Sequence, residues 1–177
     1  RHAQARRHGD HETPARRRPT GRHPVSAGVQ LVLISFGHLH GPPPEADITV
    51  DVREVLPNPV VSDPAVLALT SLDPRVRDWV LASAGATEMT EQLARLAEVY
   101  LMLRTRPDAR GQYAYTSVAV GCGGGRHRSV ALVERLAVSL RGAGWWVEVE
   151  HRDVDKPLLR RLPQAAPARA LPPGGTP

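Results

Sequence analysis

The residues from Cys122 to Ser129 read Cys-Gly-Gly-Gly-Arg-His-Arg-Ser and gather more chemistry than any other stretch of the chain. Glycine backbone can turn its N–H groups inward and approach an oxyanion with no Cβ in the way. The strand-like run Tyr113–Val120 precedes this stretch, and Val130, Val133, Leu136, Ala137 and Leu140 recur after it at helical spacing. Strand, glycine loop and helix start in that order aim unpaired amides and the positive end of a helix dipole at one point. Arg126, His127 and Arg128 add cationic side chains, and a guanidinium can grip two phosphate oxygens at once. Ser129 adds a hydroxyl. With Cys122, Gly123, Gly124 and Gly125, these residues suit a phosphate or a phosphosugar. The loop is not a Walker A motif, because no Gly-Lys-Ser/Thr occurs anywhere in the chain. It fits the dinucleotide G-x-G-x-x-G spacing only in part. A tight turn with solvated arginines is the alternative, but it leaves the crowd of Arg, His, Arg and Ser at one helix start unexplained.

A catalytic reading uses the same residues. Cys122, five residues, then Arg128 and Ser129 spell C-x5-R-S, which looks like the phosphate loop of cysteine-dependent phosphatases. In that chemistry a thiolate at a helix N-terminus attacks phosphorus while the arginine holds the oxygens. Cys122 and Arg128 would be the catalytic pair. Gly121 stands where those enzymes usually carry His, and the general-acid candidates, Asp73 and Asp108, are weak. The reading is kept as the alternative to a binding site.

The elements that must position the loop are legible in outline. Val29–Phe36 is a compact apolar run, expected as a buried strand, and Ala46–Val52 alternates like a second. Pro57, Pro59 and Pro64 predict a long rigid loop. Asp73-Pro74 reads as an N-cap with proline at the first helical position, opening a short helix through Leu81. Met89, Leu93, Leu96, Ala97, Tyr100 and Leu103 give one face of a helix over 87–103. Gly142 and Gly144 should end the helix after the loop, and Trp145–Val149 should be the last strand. Strands alternating with helices predict an α/β fold, a parallel or mixed sheet flanked by helices, with the glycine phosphate-binding loop between a strand and a helix.

Composition bounds the rest. The chain has 177 residues and a formal charge of +5, enough length for one domain with a real core. Residues 1–24 hold seven Arg against Asp10 and Glu12, which is the whole +5; residues 25–177 balance to zero. A bulk nucleic-acid argument from net charge therefore does not apply to the folded part. The first 24 residues lack Val, Ile, Leu and any aromatic side chain, so they cannot offset their ordering entropy. We expect a disordered basic leader at 1–25, a folded domain at 26–158 and a Pro/Ala-rich disordered tail at 159–177. Cys122 is the single cysteine, which excludes an internal disulfide framework and a multi-cysteine zinc site. No apolar run is long enough to span a membrane and no signal-peptide pattern is present, so the expected location is cytoplasmic.

Longer blocks carry a family resemblance. SFGHLHG at 35–41, ADITVDVREVLPNP at 46–59, SLD at 71–73, VAVGCGGGRHRSV at 118–130 and EHRD at 150–153 occur in one order. Together they resemble the C-terminal domain of the RapZ family, the RNase adapter proteins also called YvcJ-like nucleotide-binding proteins. The resemblance implies a regulatory domain that binds a phosphorylated small molecule such as glucosamine-6-phosphate, together with RNA or a partner protein, and no resident cofactor. It implies a binding protein rather than an enzyme. The family's nucleotide-binding half has no counterpart in this sequence, so ATP or GTP hydrolysis does not transfer to it. In that family the residue after the cysteine is commonly Thr and a His commonly follows the PNP. Here these positions are Gly123 and Val60, two departures at positions that the resemblance places beside the sugar phosphate.

The matching supporting positions are His40, Asp51, Arg53, Asn58, His151 and Arg152. Asp51 and Arg53 position the loop or the ligand, or form a strand-end ion pair. Asn58, between two prolines, suits a turn that bonds its own backbone. His151, Arg152 and Lys156 with Arg126 would make a basic rim for RNA phosphate, or a solvated strand end. His38 and His40 have no carboxylate at ligand spacing, which argues against a metal. Trp79, Trp145 and Trp146 fit core or homo-oligomer contacts better than base stacking.

Overall fold

Every residue of Leu31–Gly37 and of Thr116–Cys122 is buried, as strands covered on both faces must be. These strands, β1 (31–37) and β3 (116–122), pair in parallel from Leu31 opposite Thr116 to Gly37 opposite Cys122. Ile48–Asp51 (β2) joins the far side of β3 and Val147–His151 (β4) the far side of β1, both parallel, giving the order β2-β3-β1-β4. The expected α/β fold is therefore present with a wholly parallel sheet. The computed structural model describes residues 30–57, 63–104 and 115–159; the expected leader, residues 160–177 of the expected tail, Asn58, Val60 and Asp108 lie outside the described residues.

Among the described residues α1 (Pro64–Leu67), α2 (Pro74–Leu81) and α3 (Ala86–Leu103) lie between β2 and β3, and α4 (Arg128–Gly142) lies between β3 and β4. The Asp73 carboxylate accepts from the Arg75 amide and Pro74 occupies the first helical position of α2, as its sequence requires. The same device corrects the expectation of an irregular proline loop. Asp63 caps Ala65, and Pro64 starts α1 instead of forbidding a helix, because the first position has no intrahelical N–H bond to lose. The last strand begins at Val147 rather than Trp145. Gly144, at φ 93°, completes the turn after α4, a left-handed conformation that glycine takes without strain.

The main core lies between the sheet and α3 and α4. Leu31 and Leu33 of β1 meet Val118 and Val120 of β3, and against them pack Leu93 and Ala97 of α3 with Leu132, Leu136 and Leu140 of α4. The opposite sheet face carries a smaller cluster, Val32, Ile34, Phe36 and Ala119, covered in part by Ala46 and Tyr115. The chain thus leaves β1 across one face, where Ala46 packs, and leaves β3 across the other, where α4 packs. The carboxyl ends of adjacent parallel strands whose connections depart to opposite sides are the usual ligand position in such sheets.

The packing carries a direct test. Leu136 is 1% exposed on the inner face of α4, whereas Val138 is 60% exposed on its outer face. Leu136→Ala should lower unfolding free energy by about 3 kcal/mol and Val138→Ala by less than about 1 kcal/mol in urea denaturation.

Candidate functional site

The notable sequence falls at the carboxyl ends of β1 and β3. Cys122 is the last residue of β3, Gly123–His127 form the loop, and Arg128 begins α4. Two steric facts shape this loop. A Cβ on Gly37 would stand 2.5 Å from the carbonyl carbon of Gly124 and 2.6 Å from the amide nitrogen of Gly125. Gly125 has φ 71°, and a Cβ there would lie 2.7 Å from the Gly37 amide nitrogen. Backbone therefore packs on backbone. The opposite holds at Gly123 and Gly124, where an added Cβ would meet nothing within 4 Å. The loop is pressed against β1 on one side and open on the other.

The amides complete the picture. The Gly125 N–H donates to Cys122 Sγ at 3.2 Å, and the Gly123 carbonyl accepts from the Leu39 amide at 3.0 Å. The N–H groups of Gly123, Gly124, Arg126 and His127 have no hydrogen-bond acceptor among the described residues. His127, the N-cap residue of α4, makes no side-chain capping bond to the helix. Unpaired amides, an uncapped helix start and open space above two glycines are the ingredients of an anion cradle.

The cationic side chains around it hold carbonyl groups. Arg126 donates through Nη1 to Val154 O and Lys156 O, each at 2.8 Å, and through Nη2 to Ala68 O at 2.9 Å. Arg128 Nη1 reaches Val52 O, Arg53 O and Leu56 O at 3.1, 2.9 and 2.6 Å. The Nε atoms of both arginines are buried with no acceptor among the described residues. His127 is buried, with Nε2 2.9 Å from Leu69 O. Burial lowers its pKa, against the Leu69 carbonyl, which favours the charged form. Cys122 is 4% exposed, with Sγ 3.2 Å from Ser129 Oγ.

The supporting residues divide into three places. At the end of β2, Arg53 Nη2 and Asp51 Oδ2 pair at 2.6 Å, and His38 Nε2 lies 3.5 Å from the same oxygen. The Arg53 bonds lower the Asp51 pKa, and burial lowers that of His38 despite the attraction of Asp51. His40 sits in the single turn 38–40, its Nε2 buried and without an acceptor among the described residues. On β4, His151 Nδ1 is 2.8 Å from Ser35 Oγ and its Nε2 3.1 Å from Glu134 Oε1. That connectivity imitates a hydrolase triad, but Ser35 is 0% exposed, so it ties β1, β4 and α4 together. Arg152 donates to Pro42 O at 2.7 Å and lies over the Phe36 ring at 5.2 Å. Trp145 packs against the core and bonds Glu98 Oε1 at 3.0 Å, while Trp79 and Trp146 are exposed.

One residue that sequence reasoning did not single out stands behind the loop. Asp153 is 0% exposed and its Oδ2 accepts from the Gly37 amide at 2.7 Å and from Arg152 Nε and Nη2 at 2.9 and 2.7 Å. Lys156 Nζ is 2.6 Å from its other oxygen. Burial alone would raise its pKa, but the bonds from Arg152, Lys156 and Gly37 outweigh burial and hold it at about 2. Its signal in the sequence was an acid between Arg152 and Lys156 in a strand-end turn, which sequence alone does not separate from a solvated charge.

With this geometry in view, comparison with known proteins identifies the chain. The sequence model of the RapZ C-terminal domain matches residues 29–155. The chain belongs to that family. The RapZ-type domain is 49% identical over 129 residues to a nucleotide-binding protein of Thermus thermophilus, covering 73% of this chain and 44% of that protein. It is 40% identical over 133 residues to a nucleotide-binding protein of Frankia casuarinae, covering 75% of this chain and 44% of the relative. A nucleotide-binding protein of Thermobifida fusca is 44% identical over 124 residues, 70% of this chain and 40% of its own length. The chain thus spans less than half the length of these relatives. Among the described residues no helix is long and apolar enough to cross a membrane.

Two outcomes follow. Gly37→Ala should cost about 1–3 kcal/mol of stability, because the neighbouring atoms are backbone and cannot step aside, while Gly124→Ala should stay within about 0.5 kcal/mol. Chemical denaturation of the two variants checks this. A folded pKa of about 2 lies below the unfolded 3.8, so the Asp153 contribution is full above pH ~4 and lost as pH falls toward 2. Asp153→Asn should therefore flatten the acid limb of the stability profile between these values, by roughly 1–2 kcal/mol given partial screening.

Proposed function

We propose that this RapZ-type domain is a regulatory binding module whose loop at Gly123–His127 receives the phosphate of a phosphorylated small molecule. The observation that carries the reading is the set of free amides at Gly123, Gly124, Arg126 and His127 beside an uncapped helix start and open space. Amides held rigid by surrounding structure bind an oxyanion without first losing conformational freedom, and the helix end adds its partial charge. The arginines contribute field and the two unpaired Nε donors, while their terminal nitrogens hold the walls. A phosphosugar such as glucosamine-6-phosphate is the ligand that family membership favours. Gly123 removes a side chain from the site and so leaves room for a different sugar or substituent. RNA or a partner protein would be the recipient of the regulatory signal. The relatives' names point to nucleotides, and a nucleoside phosphate shares the phosphate that this loop would hold.

Binding, not turnover, is the activity proposed. The C-x5-R-S reading needs Arg128 on a phosphate, and three carbonyls engage its Nη1. Isothermal calorimetry should give saturable heat with glucosamine-6-phosphate and none with glucosamine. Gly123→Glu, which places a carboxylate at the open side of the loop, should lower the affinity at least tenfold with the fold unchanged by circular dichroism. GTP in the same titration tests the nucleotide form of the ligand. p-Nitrophenyl phosphate should show no hydrolysis above background; turnover lost in Cys122→Ser would establish the phosphatase instead. Absence of heat with every phosphorylated compound would overturn the phosphate reading.

A further inference from the structure

The geometry points to Asp153 as a positioning residue: through the turn 152–156 it sets the conformation in which the glycine loop offers its amides. This rests on the loop being an anion site, as proposed above. Asp153 binds the residue against which the loop packs. Its Oδ2 takes the Gly37 amide, and Gly37 is the residue whose Cα presses on Gly124 and Gly125. A Cβ on Gly125 would stand 2.9 Å from Asp153 Cβ, so loop and aspartate are in van der Waals contact with no spacer. The turn is gripped from the loop as well. Arg126 donates to the carbonyls of Val154 and Lys156, one and three residues beyond the aspartate. Arg152, bound to Asp153, donates in turn to Gly37 O and Pro42 O and thereby fastens the segment after β1. Through Leu39, that segment holds the Gly123 carbonyl. Asp153 thus stands where the end of β1, the turn 152–156 and the glycine loop meet.

Electrostatics and positioning predict opposite signs, which makes the inference testable. Asp153 is a negative charge behind a site for an anion. Were its influence only Coulombic, removing the charge would tighten anion binding, since Arg126, Arg152 and Lys156 would lose their counter-charge. If it positions the loop, removing it weakens binding although the site becomes more positive. The experiment uses the full chain with inorganic phosphate as probe. Calorimetry compares wild type with Asp153→Asn, which keeps an acceptor for Gly37, and Asp153→Ala, which does not. Leu101→Ala is the control, lowering stability at a site away from the loop. The expected order of affinity is wild type, then Asp153→Asn, then Asp153→Ala, with the last weaker by tenfold or more and the control unchanged. Amide spectra, read without phosphate, should show Gly37, Gly123 and Gly125 shifted in the aspartate variants and unmoved in the control. Affinity equal to or tighter than wild type in Asp153→Asn, with the fold intact, overturns the inference. If wild type binds no inorganic phosphate, the glycine amide shifts alone decide whether Asp153 sets the loop: unshifted amides overturn it.

Discussion

The end of β1 and the glycine loop after β3 meet backbone against backbone, and the architecture of the site depends on that contact. Two parallel strands bring Gly37 opposite Cys122, and the loop must then turn away over the end of its neighbour. There is no volume for a side chain between Gly37 and the Gly124–Gly125 peptide, so both partners are glycine at that contact. The same crowding recurs one layer down, where the Phe36 ring occupies the space a Cβ on Gly121 would need. Close packing of this kind transmits shape, because neither surface can yield without moving a strand. The open side of the loop at Gly123 and Gly124 owes its geometry to the closed side.

The arginines around the loop serve as carbonyl clamps. The carboxyl edge of a parallel sheet and the ends of short helices leave many carbonyl oxygens without partners, and each buried one carries a cost unless bonded. Arg126, Arg128 and Arg152 each reach two or more of them, using the planar fork that lysine lacks. Their charge is not consumed by this, since a carbonyl dipole does not neutralise a guanidinium. On the proposed reading, an anion would bond the backbone amides of the loop within the field of these guanidinium groups. Asp153 offsets part of that potential and is held ionised by Arg152 and Lys156.

The legible and illegible features separate along physical lines. The Asp73-Pro74 start of α2, the apolar stripe of α3 and the inner face of α4 could be read because capping and amphipathic period are local in sequence. Pro64 was misread, since a proline that breaks a helix interior and one that begins a helix differ only in what precedes them, here the capping Asp63. The strand ends shifted because pairing with β1 decides where β4 starts. Arg126 and Arg128 were recognised as part of the loop, but their carbonyl partners are 28 to 76 residues away along the chain. Asp153, after His151 and Arg152, carries no local sign of its burial in the sequence.

The sequence by itself determined the fold class, the family and the place of the glycine loop between strand and helix start, because each depends on residue type at short spacing. Only the tertiary structure decided which faces of that loop are open and which are closed. It also decided that the arginines bond distant carbonyls and that Asp153 accepts from the last residue of β1. Those outcomes follow from strand order: β1 lies between β3 and β4, so residues more than a hundred positions apart become neighbours.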